Sequence, residues 1–362
     1  MENPFRQHIL PLARQHGGVL HALLGLSACH VCTSQRITGR PMMALALQHR
    51  VAALHDLGCM LLRESSRGLD ECEEEAVLAI VLLLVLHDVC EHGVSSHGAH
   101  LDGVAFLCER KVKNVDMSHP SKASILFFIA ALSWLDVLRG FSGAEKLAYP
   151  HEVRACVYDN WSFGLYMTFG CPPNIFRCIG AVIEAAKAEL EGTLFSEEFV
   201  VVLRDAETYL RNWDPQSAVF PSNEPEWAYL ATAFRHACLL RIMRWPDTCS
   251  VSCDDSRIRE SVEAILDACA NIPKTSPCYK RMLFSLFMAG VDTCSEQQKH
   301  YIDLSIEEIK TCTGFPHCGM TELMNKVWAE RKMNSKGRNN VPWMDFTCVD
   351  KNEGSQDAYL FF

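Results

Sequence analysis

The sequence has no excess of positive charge and no long apolar run. Lysine and arginine number 34 against 44 aspartates and glutamates in 362 residues, which gives a net charge of −10. A duplex-binding protein needs clustered positive charge, so direct nucleic-acid binding by these residues is disfavoured. The longest apolar run, Ala76–Leu86, has 11 residues, whereas a bilayer crossing needs about 20. The sequence therefore predicts no membrane span, and Ala76–Leu86 is expected to be a buried central helix with an acidic first turn.

Strand signals are also scarce. No alternating run of five or more residues flanked by hairpin turns is present, and such runs are typical of half-buried strands. Apolar residues instead recur every three or four positions, which is typical of amphipathic helices. The sequence therefore predicts an all-α fold. We expect a large multi-helix array in which about a dozen helices pack antiparallel and no significant sheet forms.

Prolines, glycines and capping residues indicate where several of these helices begin and end. Pro173 stands near the start of one helix, and Gly192 stands just beyond its end. Asp255 or Ser256 caps another helix. A further helix carries one apolar stripe at three- and four-residue spacing: Met43, Leu47, Val51, Leu54, Leu57 and Leu61.

The predicted domain organisation is one helical domain followed by a tail. Residues 1–331 are predicted to form the helical domain. Two segments rich in Gly, Pro or Ser, at 140–150 and 214–225, are candidate boundaries between two packed lobes of this domain. Beyond Arg331 the composition shifts to basic and amide residues and then to an acidic-aromatic end. Residues 332–362 are therefore predicted to form a C-terminal tail.

The 18 cysteines are unusually numerous, and most fall inside apolar helical stretches. Secreted disulfide scaffolds are usually short and loop-rich, so reduced, buried thiols that act as small hydrophobes are the better interpretation. Cys29-x-x-Cys32 is the one Cys-x-x-Cys in the chain, and a structural zinc site needs a second such pair. Two other spaced pairs are similarly unsupported as ligands: Cys249 with Cys253, and Cys312 with Cys318.

A histidine-rich segment with nearby acidic and thiol side chains is the best metal candidate. Its spacing fits no known ligand pattern, and Gly93 and Gly98 interrupt any continuous helix across it. A solvated turn between helices is therefore expected, with a metal site as the alternative. The segment contains His87, Asp88, Cys90, Glu91, His92, His97 and His100.

No catalytic constellation is evident. Asp254-Asp255 invites comparison with the aspartate-rich magnesium motif of helical terpene cyclases, but Ile258 stands where the third carboxylate is needed. A helix N-cap is the ordinary role of such a pair. Aromatic residues at helical spacing, such as Phe163, Tyr166 and Phe169, are expected to fill the core. The alternative is a small-molecule cavity lined by residues such as Trp161, Phe163 and Tyr166.

A series of short motifs carries a family resemblance. In the first half of the chain they are Asn3-Pro4-Phe5-Arg6, Leu10-Pro11-Leu12, Leu20-His21-Ala22-Leu23-Leu24 and His100-Leu101-Asp102-Gly103-Val104. In the second half they are Gly170-Cys171-Pro172-Pro173 followed by Ile179, then Leu286-Phe287-Met288-Ala289-Gly290, Val327-Trp328 and Trp343-Met344-Asp345. Read in order, they resemble the fungal-specific transcription factor domain, the helical regulatory region that follows a zinc binuclear cluster in many fungal regulators. His97 departs from the family's usual Trp.

The resemblance covers about residues 3 to 350. It implies a nuclear transcriptional regulator that works through protein or effector binding and is not an enzyme. The implied partners are the transcription machinery or co-regulators, with a homodimer and a small-molecule effector as further expectations and no membrane. The alternative function is an all-helical enzyme or small-molecule carrier with an aromatic-lined cavity.

The family's DNA reader is the part that the sequence does not contain. That reader needs six closely spaced cysteines beside a run of lysine and arginine, and no such block occurs in the 362 residues. Either the reader belongs to a segment before this sequence, or the regulator has lost it. Zinc and DNA contacts are expected only in that missing module, so no residue here is assigned a catalytic, cofactor, metal or DNA-binding role.

Overall fold

The computed structural model describes residues 3–34, 40–91, 94–95, 98–114, 117, 119, 122–161, 166, 168–347 and 358–359. Helices dominate these ranges, and the prediction of an all-α fold is confirmed. The helices are α1 (Pro4–Ala13), α2 (Gly17–Ser34), α3 (Arg40–Arg67), α4 (Glu71–Glu91), α5 (Gly98–Asn114), α6 (Ala123–Ser142), α7 (His151–Asp159), α8 (Pro173–Leu190), α9 (Ser196–Asn212), α10 (Glu226–Met243), α11 (Ser256–Asn271), α12 (Pro277–Lys280), α13 (Leu283–Asp292), α14 (Glu296–Thr313) and α15 (Cys318–Met333). Short 3₁₀ turns lie at Ala144–Lys146, Pro215–Ser217 and Trp343–Phe346, and two-residue β segments lie at Val94–Ser95 and Ala358–Tyr359.

The chain forms two compact units. The first comprises residues 1–136, 148–160 and 313–317, and the second comprises residues 137–147, 161–312 and 318–362. Helices α1–α5 and α7 therefore belong to the first unit, and α8–α13 and α15 belong to the second. The chain first passes between the units within α6, after Asp136, and the segment 214–225 lies inside the second unit.

Helix α4 is the centre of the first unit. Its first turn carries Glu71, Glu73 and Glu74, whose negative charges suit the positive end of the helix dipole. The run Ala76–Val85 is buried on every face, which confirms the predicted central helix. A helix that is apolar all round needs neighbours on all sides, and α2, α3 and α5 pack against it.

Helices α2 and α3 approach each other closely at Gly25. A Cβ at this position would lie 3.3 Å from the backbone nitrogen of Arg50 and 3.4 Å from the carbonyl oxygen of Ala46. Ala46 and Ala53 are buried, so small side chains occupy the inner face of α3. Of the predicted apolar stripe, only Leu57 is fully buried. The helix is therefore as predicted, but most of its stripe is not the packing face.

Two helices, α2 and α6, are long and apolar enough to cross a membrane by length and composition. Helix α6 contains no long uninterrupted apolar run, because Ser133 and Asp136 lie within it. In α6, 89% of the most apolar 18-residue window is buried inside the protein, which is typical of a core helix. The corresponding share in α2 is 39%, and α2 packs against α1, α3 and α4.

Helix α10 is the centre of the second unit, and α8, α9, α11, α12 and α13 pack against it. The limits of α8 are as predicted. Pro173 is its first residue, and Gly192 beyond its end has a φ of +73°, a conformation that glycine adopts without strain. The Thr193 N–H donates to the Ala188 carbonyl at 2.8 Å, and the Gly192 N–H donates to the Glu189 carbonyl at 3.1 Å. These two bonds form a Schellman cap.

Close packing joins α13, α15 and the segment that follows α15. A Cβ on Gly290 would lie 2.7 Å from the Met324 sulfur, so the two helices meet where only a hydrogen fits. The Trp328 Nε1 donates to the Gly290 carbonyl at 2.7 Å. Trp343 is buried with its ring edge against Phe287, at 5.1 Å between centroids. The described part of the predicted tail therefore supplies a packed side chain.

Candidate functional site

His87 and Asp88 of the histidine-rich segment are buried on the last turns of α4, so the expected solvated turn is wrong for them. Their ligand atoms and that of Glu91 lie within 4.8 Å of one another. Arg50 already occupies this cluster, because its guanidinium donates to Glu91 at 2.9 Å and to Asp88 at 2.5 Å. A cation would have to displace the arginine, so the cluster is a structural ion-pair network. The remaining histidines lie on α5 or outside the described residues: His100, and then His92 and His97.

Cys29 and Cys90 form a thiol pair in the first unit. Both are fully buried in an apolar cluster with Ala28 and Ala46. The interaction with the Cys90 thiol, together with burial, raises the pKa of Cys29. The same interaction lowers the pKa of Cys90 to about 7, helped by Thr33, whose Oγ1 lies 3.6 Å from the Cys90 sulfur. The two side chains act as small hydrophobic groups, because neither sulfur is accessible to solvent.

The other cysteines singled out from the sequence are dispersed. Every described cysteine is a free thiol. Cys32 is buried on α2, Cys249 is half-buried, and Cys312 and Cys318 are exposed. Cys32 lies near the Cys29 thiol, and Cys253 lies near the Cys294 thiol.

The aspartate pair and the aromatic residues have structural roles. Asp255 caps α11 by accepting from the Arg257 N–H at 2.9 Å, as predicted. Tyr166 is buried with its ring edges against Phe220 and Trp227, at centroid distances of 5.8 and 5.4 Å. This arrangement is that of a packed core. The other two aromatic candidates differ in position: Trp161 packs against Phe176 at 5.6 Å, and Phe163 lies outside the described residues.

An open pocket of about 420 Å³ lies in the second unit, where the end of α13 faces the start of α11. Its lining includes Cys253, which is buried, and Cys294, which is exposed. Cys253 lies on the turn before α11, and Cys294 lies two residues after α13. The two thiols are close enough for each to shift the pKa of the other. Polar side chains make up most of the remaining lining: Asp254, Arg259, Glu263, Asp292, Thr293, Ser295 and Gln298.

Arginine side chains surround this thiol pair. The Arg244 guanidinium donates to the Cys253 sulfur at 3.3 Å and to the buried Asp292 carboxylate at 2.6 Å. The interaction with the Cys294 thiol and burial raise the pKa of Cys253. The same interaction lowers the pKa of Cys294 to about 6, and the positive charge of Arg331 acts in the same direction. The pocket therefore presents one acidic thiol to solvent and one protonated thiol behind it.

A second candidate surface is the outer face of α3. Four residues of the predicted stripe and one further leucine are 36% to 73% exposed: Met43, Leu47, Val51, Leu54 and Leu62. Their spacings along the helix are four, four, three and eight residues, so they share one face of α3. On the neighbouring helix α2, Leu20 and Leu24 are also exposed. We name this face the α3 ridge: Met43, Leu47, Val51, Leu54 and Leu62.

The family motifs themselves occupy structural positions. The Asn3 side chain caps α1 by accepting from the Phe5 N–H at 2.9 Å. Gly170 has a φ of +73°, and a Cβ there would lie 2.8 Å from a Leu230 methyl group. The tryptophan and glycine motifs near the C-terminus form the contacts between α13, α15 and the segment after α15. These motif residues therefore serve in helix capping and packing.

A family model described as the fungal-specific transcription factor domain matches residues 1–359. The chain belongs to this family. The resemblance stated from the sequence is confirmed, because the match covers essentially the whole chain. The fungal-specific transcription factor domain is a regulatory domain of transcription factors and not an enzyme family. No curated protein and no solved structure matches the chain.

Proposed function

We propose that this chain is the regulatory domain of a fungal transcription regulator and that it acts by binding a co-regulator protein, without catalysis of its own. Family membership supports the role in transcription regulation. The observation that carries the binding mode is the α3 ridge, an apolar surface on a chain whose net charge is −10. Soluble proteins rarely expose contiguous apolar patches without a partner for them.

The ridge suits a helical partner. It extends from Met43 to Leu62, which spans about 28 Å of helix at 1.5 Å per residue. Only Arg50 and Asp56 carry charge between these two positions, so little charge has to be desolvated when a partner binds. Exposed apolar residues at three- and four-residue spacing fit the ridges and grooves of another helix. We therefore commit to an amphipathic helix of a co-regulator as the occupant.

The proposal assigns location and DNA contact by family membership. Members of the fungal-specific transcription factor domain family are expected in the nucleus and are expected to work with a zinc cluster. In this proposal the zinc and the DNA contacts belong to a separate cluster module, and the acidic chain described above contributes the regulatory contacts.

A reporter assay tests the binding surface. The full chain is fused to a heterologous DNA-binding module, and Leu47→Glu is compared with Leu304→Glu on α14. Leu47 and Leu304 are matched, because both are leucines with 58% exposure. We expect L47E to reduce the reporter effect by about tenfold, since a charge at an apolar contact costs about 1.4 kcal/mol or more of binding free energy. L304E should keep the effect of the unmodified fusion.

Three outcomes bear on the proposal. A fusion with no effect on the reporter, or L47E and L304E with equal effects, would contradict it. Helical content and the denaturation midpoint of each variant are measured, so that misfolding is not mistaken for lost binding. If the purified chain shows a concentration-dependent mass that L47E abolishes, the occupant of the ridge is a second copy of this chain and the co-regulator assignment is wrong.

A further inference from the structure

We propose that Cys253 and Cys294 form a hydroperoxide-reactive pair, in which Cys294 is the reacting thiol, Cys253 is the resolving thiol, and the product is a disulfide between them. This inference concerns a chemical modification of the second unit. It does not depend on the α3 ridge or on any partner protein.

The pocket gives the two thiols different access. Both residues line the same pocket of about 420 Å³, but Cys294 is exposed and Cys253 is buried. Each residue lies in a short connection, before α11 and after α13 respectively, and not inside a rigid helix. Connections of this kind can adjust to bring two sulfurs to the bond length of about 2.05 Å. A small solute can thus reach Cys294 first, and the buried Cys253 lines the same pocket.

The charges at the pocket suit a thiolate at Cys294. Arg331 and Lys299 act on this thiol with positive charge, and Asp254 opposes them with negative charge. The Arg331 guanidinium is held in place because it donates to the Thr293 carbonyl at 2.9 Å and to the Val291 carbonyl at 2.6 Å. Reactive cysteines are typically accessible thiols beside fixed cations. The polar lining favours a small polar hydroperoxide over an apolar ligand.

The reaction balances with one hydroperoxide as the oxidant. The Cys294 thiolate attacks the terminal peroxide oxygen, the O–O bond breaks, and Cys294 becomes a sulfenic acid while the rest of the peroxide leaves as alkoxide or hydroxide and takes a proton. The Cys253 sulfur then attacks the Cys294 sulfur, and the S–O bond breaks. Water leaves with the thiol proton of Cys253. Two thiols are thereby oxidised by two electrons, and the peroxide is reduced by two.

Oxidation changes the contacts of Cys253. In the reduced chain its thiol donates to the Asn340 Oδ1 at 3.3 Å, and a disulfide sulfur has no proton to donate. Asn340 also donates to the Thr248 carbonyl at 2.8 Å and accepts from Arg331 at 3.3 Å. We therefore expect the disulfide to loosen the segment around Asn340, which leads directly to the buried Trp343. Faster limited proteolysis in this segment is the expected sign.

The test uses the purified full chain, treated with hydrogen peroxide at pH 6 and analysed by mass spectrometry of its peptides. We expect a peptide pair linked through Cys253 and Cys294 that dithiothreitol releases. Cys253→Ser should accumulate a Cys294 sulfenic acid that dimedone traps, and Cys294→Ser should leave Cys253 reduced. At pH 6 a thiol of pKa about 6 is half thiolate, against about 0.3% for an ordinary thiol. After allowing for its lower nucleophilicity, we expect Cys294 to react about tenfold faster than an ordinary thiol.

Cys312 is the matched control within the chain. It is also exposed, but its sulfur lies 3.9 Å from the Glu308 carboxylate, and the nearby Lys274 ammonium pairs with that carboxylate at 3.1 Å. Oxidation of Cys312 at the rate of Cys294 would overturn the proposal. So would a disulfide between Cys294 and any cysteine other than Cys253, or a sulfenic acid at Cys294 that persists in the unmodified chain. Circular dichroism of both serine variants confirms that they are folded, and oxidation of the unmodified chain is decisive by itself.

Discussion

The two thiol pairs, Cys29 with Cys90 and Cys253 with Cys294, each bring two interacting thiols together, and they differ in access to solvent. In each pair one pKa is raised and the other lowered, to about 7 for Cys90 and about 6 for Cys294. Cys90 is sealed in an apolar cluster, whereas Cys294 opens into a polar pocket. A lowered pKa alone therefore does not define a reactive cysteine. Access and fixed cations distinguish the second pair from the first.

The largest expected effect is on the alkylation rate. In the native chain, Cys294 should react with iodoacetamide about 100-fold faster than Cys29 or Cys90, because a buried thiol reacts only after local opening that costs about 3 kcal/mol. Isotope-coded alkylation followed by mass spectrometry measures all three rates in one sample. In 6 M guanidinium the difference should vanish. Equal native rates would show that the first pair is not sealed.

The next effect is on the pH dependence of that reaction. Because the pKa of Cys294 is lowered to about 6, its thiolate persists as the pH falls and is lost only below about pH 6. Its alkylation rate should therefore be half-maximal near pH 6, whereas an ordinary thiol is half-maximal near about 8.5. Cys90 should stay slow across the same range despite its own lowered pKa. A half-maximal pH for Cys294 near that of an ordinary thiol would remove the distinction between the pairs.

The smallest expected effect is on the pH at which the alkylation rate of Cys294 is half-maximal, which we call the midpoint. Lys299→Gln removes one positive charge that lowers the pKa of Cys294. The midpoint should rise by about 0.3 pH unit or less, because Glu296 pairs with this ammonium at 2.9 Å and offsets part of its charge. Lys310→Gln is the matched control. The Lys310 ammonium pairs with Glu307 at 2.7 Å and is not among the charges that act on Cys294. A fall in the midpoint for K299Q would mean that the sign assigned to Lys299 is wrong.

Helix limits were predictable because local chemistry sets them. Pro173 fixes the start of α8, Gly192 supplies the left-handed residue at its end, and Asp255 caps α11. Which face of a helix is buried is decided by its neighbours instead. The stripe on α3 is mostly exposed, because α3 meets Gly25 of α2 through Ala46 on another face. The spacing of apolar residues predicts an apolar stripe on a helix, and it does not predict whether another element of the protein packs against that stripe.

The candidate sites were less predictable because they join distant segments. Cys253 invites comparison with Cys249, four residues before it, but its partner Cys294 follows 41 residues later with no local signal. The pairing depends on how α11 and α13 pack. Likewise, the sequence around Asp88 predicts a solvated turn. In the structure Asp88 is buried on α4, where Arg50 of the neighbouring helix α3 compensates its charge.

The packing of Trp343 against Phe287 has a practical consequence for C-terminal truncation of the chain. The last long helix ends at Met333, which is an inviting place to stop an expression fragment. A fragment cut there would lose the indole that covers the fully buried Phe287, together with the Asn340 amide that Cys253 and Arg331 both contact. The truncated fragment would expose an aromatic surface to solvent, and this surface would promote aggregation. Cloning boundaries should therefore fall beyond Thr347.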